Sequence, residues 1–286
     1  MSAHTIKGLR AEFKAVGKFH TPPELALFLR SLIPGVPERV YDPTCGAGAL
    51  LSVFPEEVAK FGQDIDAEAV ADAGMIPGFT GHVGDVLTDP AWVDERFDAV
   101  VANPPFSIEW EQQADERFFG APTVPTKGRA DFAFLLHILW MLAPGGTAAV
   151  LQFPGVCYRQ GREKTLREWI TSQGVLAEVI QIPGDTFTDT AISTVCLVFR
   201  KGHEGPVRFF DQESGAEALV PVEGIEAEDW SWSVSTYARP PEPVMEPVDT
   251  WALEVSARSA ACRKLRSELK FSHAVAQIEG WAFAPF

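Results

Sequence analysis

The chain has 286 residues, 46% hydrophobic and 22% charged, the make-up of a soluble globular enzyme with room for one large domain and an extension. A disordered or fibrous chain is excluded. With 24 Lys and Arg against 39 Asp and Glu, the net charge is −15; this argues against a protein that grips nucleic acid with its whole surface, while leaving nucleic acid open as a local substrate.

The four cysteines (Cys45, Cys157, Cys196, Cys262) are scattered without a CxxC pair, so neither a disulfide framework nor a zinc site is expected. A metal-free protein in a reducing, cytoplasmic setting fits. The most apolar run, Phe132 to Leu142, contains His137 and is far short of the roughly 20 residues that span a bilayer. The N-terminus carries no secretion-type apolar segment, and no membrane association is expected.

In chain order, Lys7, Arg10, Lys14 and Lys18 recur at helical spacing opposite Ile6, Leu9, Phe13 and Val16, predicting a helix with a basic face. From Arg39 to Arg200 short β-rich runs alternate with helical patterns, the signature of an α/β protein with a mostly parallel sheet and helices on both faces. Strands are expected at Arg39 to Asp42, Ala59 to Asp64, Thr80 to Val83, Phe97 to Asn103, Thr147 to Phe153, Leu176 to Ile182 and Ser193 to Phe199. Helices are expected at Pro22 to Leu32, Gly48 to Val53, Ala67 to Ala73, Ala130 to Leu142 and Glu163 to Ser172. The last two strands predict a hairpin that puts an antiparallel strand at the end of the sheet.

After Lys201 the composition turns acidic, with 11 acidic residues against Arg208 and Arg239 between His203 and Thr250, and a proline-rich stretch from Arg239 to Pro247. Two parts are therefore expected: residues 1–202 as the main domain, and 203–286 as an acidic, proline-containing extension ending in a helix over Trp251 to Lys270.

The turn Asp42-Pro-Thr-Cys-Gly-Ala-Gly-Ala49 follows the first strand and opens a helix, the context in which small residues let a ligand approach the backbone. It lacks the third glycine of a dinucleotide site and the lysine of a P-loop. A cofactor combining an amino acid with an adenosine remains. Asp64 ends the second strand, where a carboxylate can accept both ribose hydroxyl bonds, and Asp85 ends the third, suited to an adenine amine. Alone, each acidic residue would read as a turn former or helix cap. Three at successive strand ends point to a ligand crevice.

Asn103-Pro-Pro-Phe106 ends the fourth strand. Two prolines stop the ladder and hold an extended turn, which presents the Asn103 amide oxygen and the Pro104 carbonyl to a single planar NH2 group. An amine conjugated to a ring is a poor nucleophile; accepting both of its hydrogens frees its lone pair to attack an electrophilic methyl group. Phe106 offers a stacking face.

The ordered set Thr21-Pro-Pro-Glu24, Asp42-Pro-Thr-Cys-Gly-Ala-Gly48, Gly62-Gln-Asp-Ile-Asp66, Gly84-Asp85 and Asn103-Pro-Pro-Phe106 resembles the class I S-adenosylmethionine-dependent DNA adenine-N6 methyltransferases, most of all the modification subunit of type I restriction systems. The resemblance runs from about Gly17 to Lys201 and includes Lys127 to Phe134, Pro154 to Gly161, and Ile182 to Thr190. It implies a Rossmann-like sheet, S-adenosylmethionine as cofactor, and a base-flipping enzyme acting on DNA without a metal. It further implies that Asn103, Pro104, Pro105 and Phe106 hold the target adenine, with Phe187 as a second wall of its pocket. Thr21 would touch the methionine carboxylate, Asp42 the ammonium group, Asp64 the ribose and Asp85 the adenine; Thr44, Cys45, Gly46, Gly48, Ile65 and Val86 would complete the cofactor contacts. A specificity subunit or a homodimer partner is implied, although no target-recognition domain of ordinary size is evident.

Basic groups are expected around the mouth: Arg117, Lys127 and Arg129 flanking a long segment from Ser107 that should act as a mobile lid, and Arg159, Arg162, Lys164 and Arg167 after the fifth strand. His20 and His137 read as packing residues. Competing readings are methylation of guanine N2 in ribosomal RNA or of a protein glutamine amide, and a non-catalytic partner that keeps the fold for binding.

Overall fold

The computed structural model describes residues 21–184, 193–239 and 258–265. The predicted basic helix before Thr21, His20 and Phe187 lie outside them. A helix α1 (Pro23–Ser31), started by a proline in its first turn, leads into β1 (Arg39–Asp42). Then follow α2 (Ala49–Ser52), β2 (Ala59–Asp64), α3 (Ala67–Ala73), β3 (Phe79–Val83), β4 (Phe97–Ala102), α4 (Glu116–Phe119) and α5 (Asp131–Met141). The chain continues through β5 (Leu142–Gln152), a 3-10 turn (Pro154–Cys157), α6 (Arg162–Ser172), β6 (Leu176–Ile182) and β7 (Thr194–Arg200). It closes the sheet with β8 (Val207–Asp211) and β9 (Glu217–Val220), followed by α7 (Val222–Ala227) and α8 (Val234–Tyr237).

All these strands form one sheet in the order β3-β2-β1-β4-β5-β7-β6-β8-β9. The pairs β2–β3, β1–β2, β1–β4 and β4–β5 are parallel, whereas β7 runs antiparallel to both β5 and β6. The expected hairpin forms, but its returning strand is inserted between β5 and β6. The end of the sheet is formed instead by β8, parallel to β6, and β9, antiparallel to β8.

Alternation along the strands sends successive residues to opposite faces. Val100 and Ala102 of β4 join one core with Phe132, Leu135 and Ile138 of α5 and Leu166 and Ile170 of α6. Ala99 and Val101 join the other, with Leu25 and Leu29 of α1, Leu50 and Leu51 of α2 and Val70 of α3. Both faces are thus covered, as strands rich in Val and Ala on both sides require.

Two features differ from expectation. Ala143 to Gly146, between the expected helix ending at Leu142 and the expected strand starting at Thr147, lies within β5: Leu142 already pairs with Phe97, and the register shifts before Ala99 pairs with Thr147. The sheet also continues past residue 202. The compact unit runs to Pro240, because Trp232 is fully buried, donates its indole N–H to Thr171 Oγ1 at 2.9 Å and sits against Phe132 and Phe199. A second unit, Pro241–Phe286, contributes a helix over 258–265 among the described residues.

Trp232→Ala removes this staple and should lower unfolding free energy by about 3–5 kcal/mol, as read from denaturant titration. An unchanged midpoint would mean that the post-β7 segment contributes nothing to the main core.

Candidate functional site

The turn after β1 is shaped by two glycines. Gly46 and Gly48 have φ of 50° and 82°, a region costly to side chains with a Cβ. They differ in surroundings. A Cβ on Gly48 would meet Ile76 Cδ1 at 2.4 Å and Ala73 Cβ at 3.1 Å, so this glycine lets α2 pack on α3, whereas a Cβ on Gly46 meets nothing and faces open space. The turn is tied to β2 by two bonds: Cys45 N–H to the Gln63 carbonyl at 2.9 Å and Gly46 N–H to Asp64 Oδ2 at 2.8 Å.

One cavity is lined by Thr21, Asp42, Thr44, Cys45, Gly46, Ala47, Ala49, Leu50 and Asn103. It joins the glycine turn to the first residue of the Asn-Pro-Pro-Phe tetrad. A wider cleft of about 210 Å³ lies at the opposite ends of the strands, between Ile33, Pro37, Asp98, Pro144 and Thr147, and holds none of the expected site residues.

Within the cavity Asp42 is buried and accepts the Thr44 N–H at 3.0 Å. Burial, with a further contribution from the Asp64 charge, pushes its pKa up to about 8, against the partial relief given by Thr44. The Thr44 hydroxyl is buried without a partner. A carboxylate so placed favours a positively charged ligand, because a nearby cation offsets both the desolvation and the repulsion. Thr21 is buried, and its Oγ1 accepts from Asn103 Nδ2 at 3.4 Å. That leaves the Asn103 carbonyl oxygen to accept from a target, and the Thr21 hydroxyl proton to donate to an anionic group.

The remaining expected cofactor residues divide. Asp64 is not in the cavity lining but is tied to it through the Gly46 N–H; its second oxygen accepts the Asp66 N–H at 3.0 Å, and its carbonyl accepts Gly84 N–H at 2.9 Å, which links β2 to the Asp85 turn. Asp85 is exposed and accepts Leu87 N–H at 2.9 Å. Ile65, 75% exposed, offers an apolar surface beside Asp64. The side chains of Val86 and Cys45 point elsewhere: that of Val86 is buried in the core under α5, and the Cys45 thiol is buried on the other face with its pKa raised by burial. Cys45 reaches the cavity as part of the turn; neither side chain has the exposure of Ile65.

After the tetrad, whose Pro104 is buried and Pro105 exposed, the chain turns through Ser107 at φ 53°. Asp131, fully buried at the start of α5, fixes that turn by accepting the Ser107 N–H at 2.9 Å. Arg159 bridges Asp131 at 3.3 Å, Glu163 at 3.4 Å and the Ser107 hydroxyl at 3.1 Å. The sequence pattern around Asp131 was visible; its bond to Ser107, 24 residues away, was not.

This bears on one expectation and corrects another. The segment from Ser107 to Arg129 is anchored: Trp110, Arg117 and Phe118 are buried, and the Trp110 indole donates to the Thr126 carbonyl at 3.0 Å. The basic residues are mostly committed internally. Arg167 is fully buried on the carbonyls of Val156, Arg159 and Trp230, Lys164 pairs with Asp229, and Arg117 lies inside the core. Lys127, Arg129 and Arg162 are exposed, with Arg129 also reaching Glu163 at 3.4 Å. His137 is, as expected, a core residue: fully buried, its pKa lowered to about 3 by burial and then by Arg117.

Among the described residues there is no group of three or more His, Cys, Asp and Glu placed to hold a metal ion, and no helix long and apolar enough to cross a membrane.

The strand order with β7 inserted antiparallel, the glycine turn after β1 and the polar groups at successive strand ends define a class I methyltransferase fold. Within it the chain belongs to the N-6 DNA methylase family, whose model matches residues 7–257. It is 34% identical over 233 residues to the methylase subunit of the type I restriction enzyme MpnII of Mycoplasma pneumoniae, covering 69% of this chain and 43% of that protein. The crystal structure of a type I restriction-modification methyltransferase subunit from Streptococcus thermophilus superposes with a TM-score of 0.71 at 26% identity, over 77% of this chain and 59% of that one. The ribosomal RNA small subunit methyltransferase C of Pectobacterium atrosepticum is 32% identical over 163 residues, 53% of this chain and 46% of that protein. The type I methylase subunits are longer: this chain spans 43% and 51% of the first two matched.

The Asp42 environment has a pH signature. Its folded pKa of about 8 lies above the unfolded value of 3.8, so this group's contribution is fully present below about pH 4 and is lost as pH rises toward 8. The loss is up to about 1.4 kcal/mol per pH unit. Asp42→Asn should escape it: in ligand-free denaturation, the stability of the variant relative to wild type grows from pH 5 to pH 8. A constant difference would place the Asp42 carboxyl in a solvated environment.

Proposed function

We propose that the protein is a DNA adenine-N6 methyltransferase using S-adenosylmethionine. The observation that carries this reading is the single cavity shared by Thr21, Asp42, the Thr44 to Gly46 turn and Asn103. The residues present suit the cofactor: Asp42 is a buried carboxylate in need of a cation, Thr44 has an unpartnered hydroxyl, and Gly46 faces open space. When bound, S-adenosylmethionine supplies an electrophilic methyl group on a sulfonium centre.

In this reading Asp42 holds the ammonium group, Thr21 donates to the carboxylate, Asp64 receives the ribose hydroxyls and Asp85 the adenine amine, with Ile65 against the ring. Asn103 Oδ1 and the Pro104 carbonyl accept the two hydrogens of the target amine, so that its lone pair faces the methyl carbon, and Phe106 stacks on the target base. The bound cofactor would supply the methyl group to that lone pair, leaving as the neutral thioether, and the surplus amine proton would pass to solvent. Positioning and hydrogen-bond polarisation carry the rate. The fit of the residues to both partners supports catalysis over a binding-only role.

Assembly with a second polypeptide that reads the DNA sequence is proposed from the subunit names of the relatives. The ribosomal RNA relative keeps a second reading, guanine N2 methylation, in view.

Both readings are separated by transfer of labelled methyl from S-adenosylmethionine to DNA and to ribosomal RNA, with the chain alone and with restriction-system subunits added. Label should appear on DNA adenine, and Asn103→Ala should cut kcat/KM by about 10²–10³-fold while cofactor affinity stays close to wild type. Asp64→Ala should instead weaken cofactor binding by about tenfold or more. Absence of label on adenine in any DNA, or label on guanine only, rejects the main reading.

A further inference from the structure

Arg117 comes from the segment that follows the target tetrad, yet its side chain is only 1% exposed and all five of its N–H groups are used. Nε and one Nη2 hydrogen hold the two oxygens of Asp115 at 2.9 and 2.7 Å. The other Nη2 hydrogen goes to the Leu87 carbonyl at 2.9 Å, and the Nη1 pair goes to the Val86 carbonyl at 2.7 Å and His137 Nδ1 at 2.9 Å. Because Arg117 can only donate, Nδ1 is the acceptor, which puts the His137 proton on Nε2, facing the Tyr41 hydroxyl at 3.1 Å.

The carbonyls that Arg117 holds belong to the two residues directly after Asp85. The peptide group between Val86 and Leu87 is therefore fixed from both sides, its N–H on Asp85 Oδ1 at 2.9 Å and its carbonyl on Arg117 Nη1 at 2.7 Å, while the next carbonyl, that of Leu87, is held by Nη2. Asp85 is exposed at the strand end, and among the hydrogen bonds here that from Leu87 is what orients its carboxylate. Tyr41, at the far end of the same chain of bonds, precedes Asp42 in β1.

We propose that Arg117 is a positioning residue for the cofactor: it fixes the Asp85 to Leu87 turn so that the Asp85 carboxylate can accept the exocyclic amine of the cofactor's adenine. This rests on the cofactor reading given above. A lysine cannot replace it, since three donors on a point charge cannot hold a carboxylate, two carbonyls and an imidazole in one plane.

The test measures binding, not turnover. Wild type, Arg117→Lys and Asp115→Asn are titrated calorimetrically with S-adenosylmethionine and with the analogue in which the adenine amine is replaced by oxygen. Wild type should prefer the amine form by about tenfold or more. In Arg117→Lys that ratio should fall toward one, and in Asp115→Asn, which loosens the guanidinium without removing it, to an intermediate value. A merely structural role would weaken both ligands together and leave the ratio intact; an unchanged ratio in the folded variants overturns the proposal, as does a wild type that binds both equally. A wild type that binds neither rejects the cofactor reading and the proposal with it, while retained binding with an unchanged ratio rejects the proposal alone. If Arg117→Lys does not fold, the ratio in Asp115→Asn decides.

Discussion

Strands that run in the same direction finish at the same edge, and that constraint creates the site. β1 pairs with β2 and β4 in parallel, with Asp42 opposite Gly62 and Tyr41 opposite Val100, so the residues that leave the sheet at Asp42, Asp64 and Asn103 emerge side by side. The bond from Gly46 N–H to Asp64 then ties the first turn to the second strand, and the Gly84 N–H bond to the Asp64 carbonyl ties the second to the third. The crevice is thus assembled by backbone geometry and a few polar bonds. Its cost is electrostatic: a buried Asp42 lies close enough to Asp64 for their charges to oppose one another.

Much of this was legible because the signals are local. β1, β2, β6 and α3 have the bounds that alternation and flanking turn residues indicate, and the tetrad at Asn103 follows β4 directly. β8 and β9 were missed because their acidic surroundings, including Asp211, Glu213 and Glu217, outweighed short apolar alternations such as Val207–Asp211. Those strands form because β6 offers an edge to pair with, which composition does not record. Arg117 reads as a surface cation for a similar reason. Its burial depends on carbonyls from Val86 and Leu87, about thirty residues earlier, at the end of another strand.

The acidity of the chain is spread more evenly than its dense run after Lys201 suggests. Residues 21–150 alone carry 19 acidic against 7 basic residues, and several of the basic ones turn inward: Arg117 to the core, Lys60 to the carbonyls of Pro55, Val58 and Pro77. Guanidinium groups here act chiefly as organisers of backbone carbonyls and buried carboxylates. Positive surface near the site is correspondingly narrow, with Lys127, Arg129 and Arg162 as its exposed members among the described residues on that stretch.

The anchoring of the Ser107 to Arg129 segment bears on which molecule must deform. Asp131 holds the turn at Ser107, and Trp110 and Arg117 hold the following chain against the core, so the backbone after Asn103 is braced by the main domain. In the proposed reaction, bringing a base to Asn103 costs the nucleic acid its stacking and pairing, a few kcal/mol. The deformability of the DNA at each site would then itself become a determinant of how readily that site is modified.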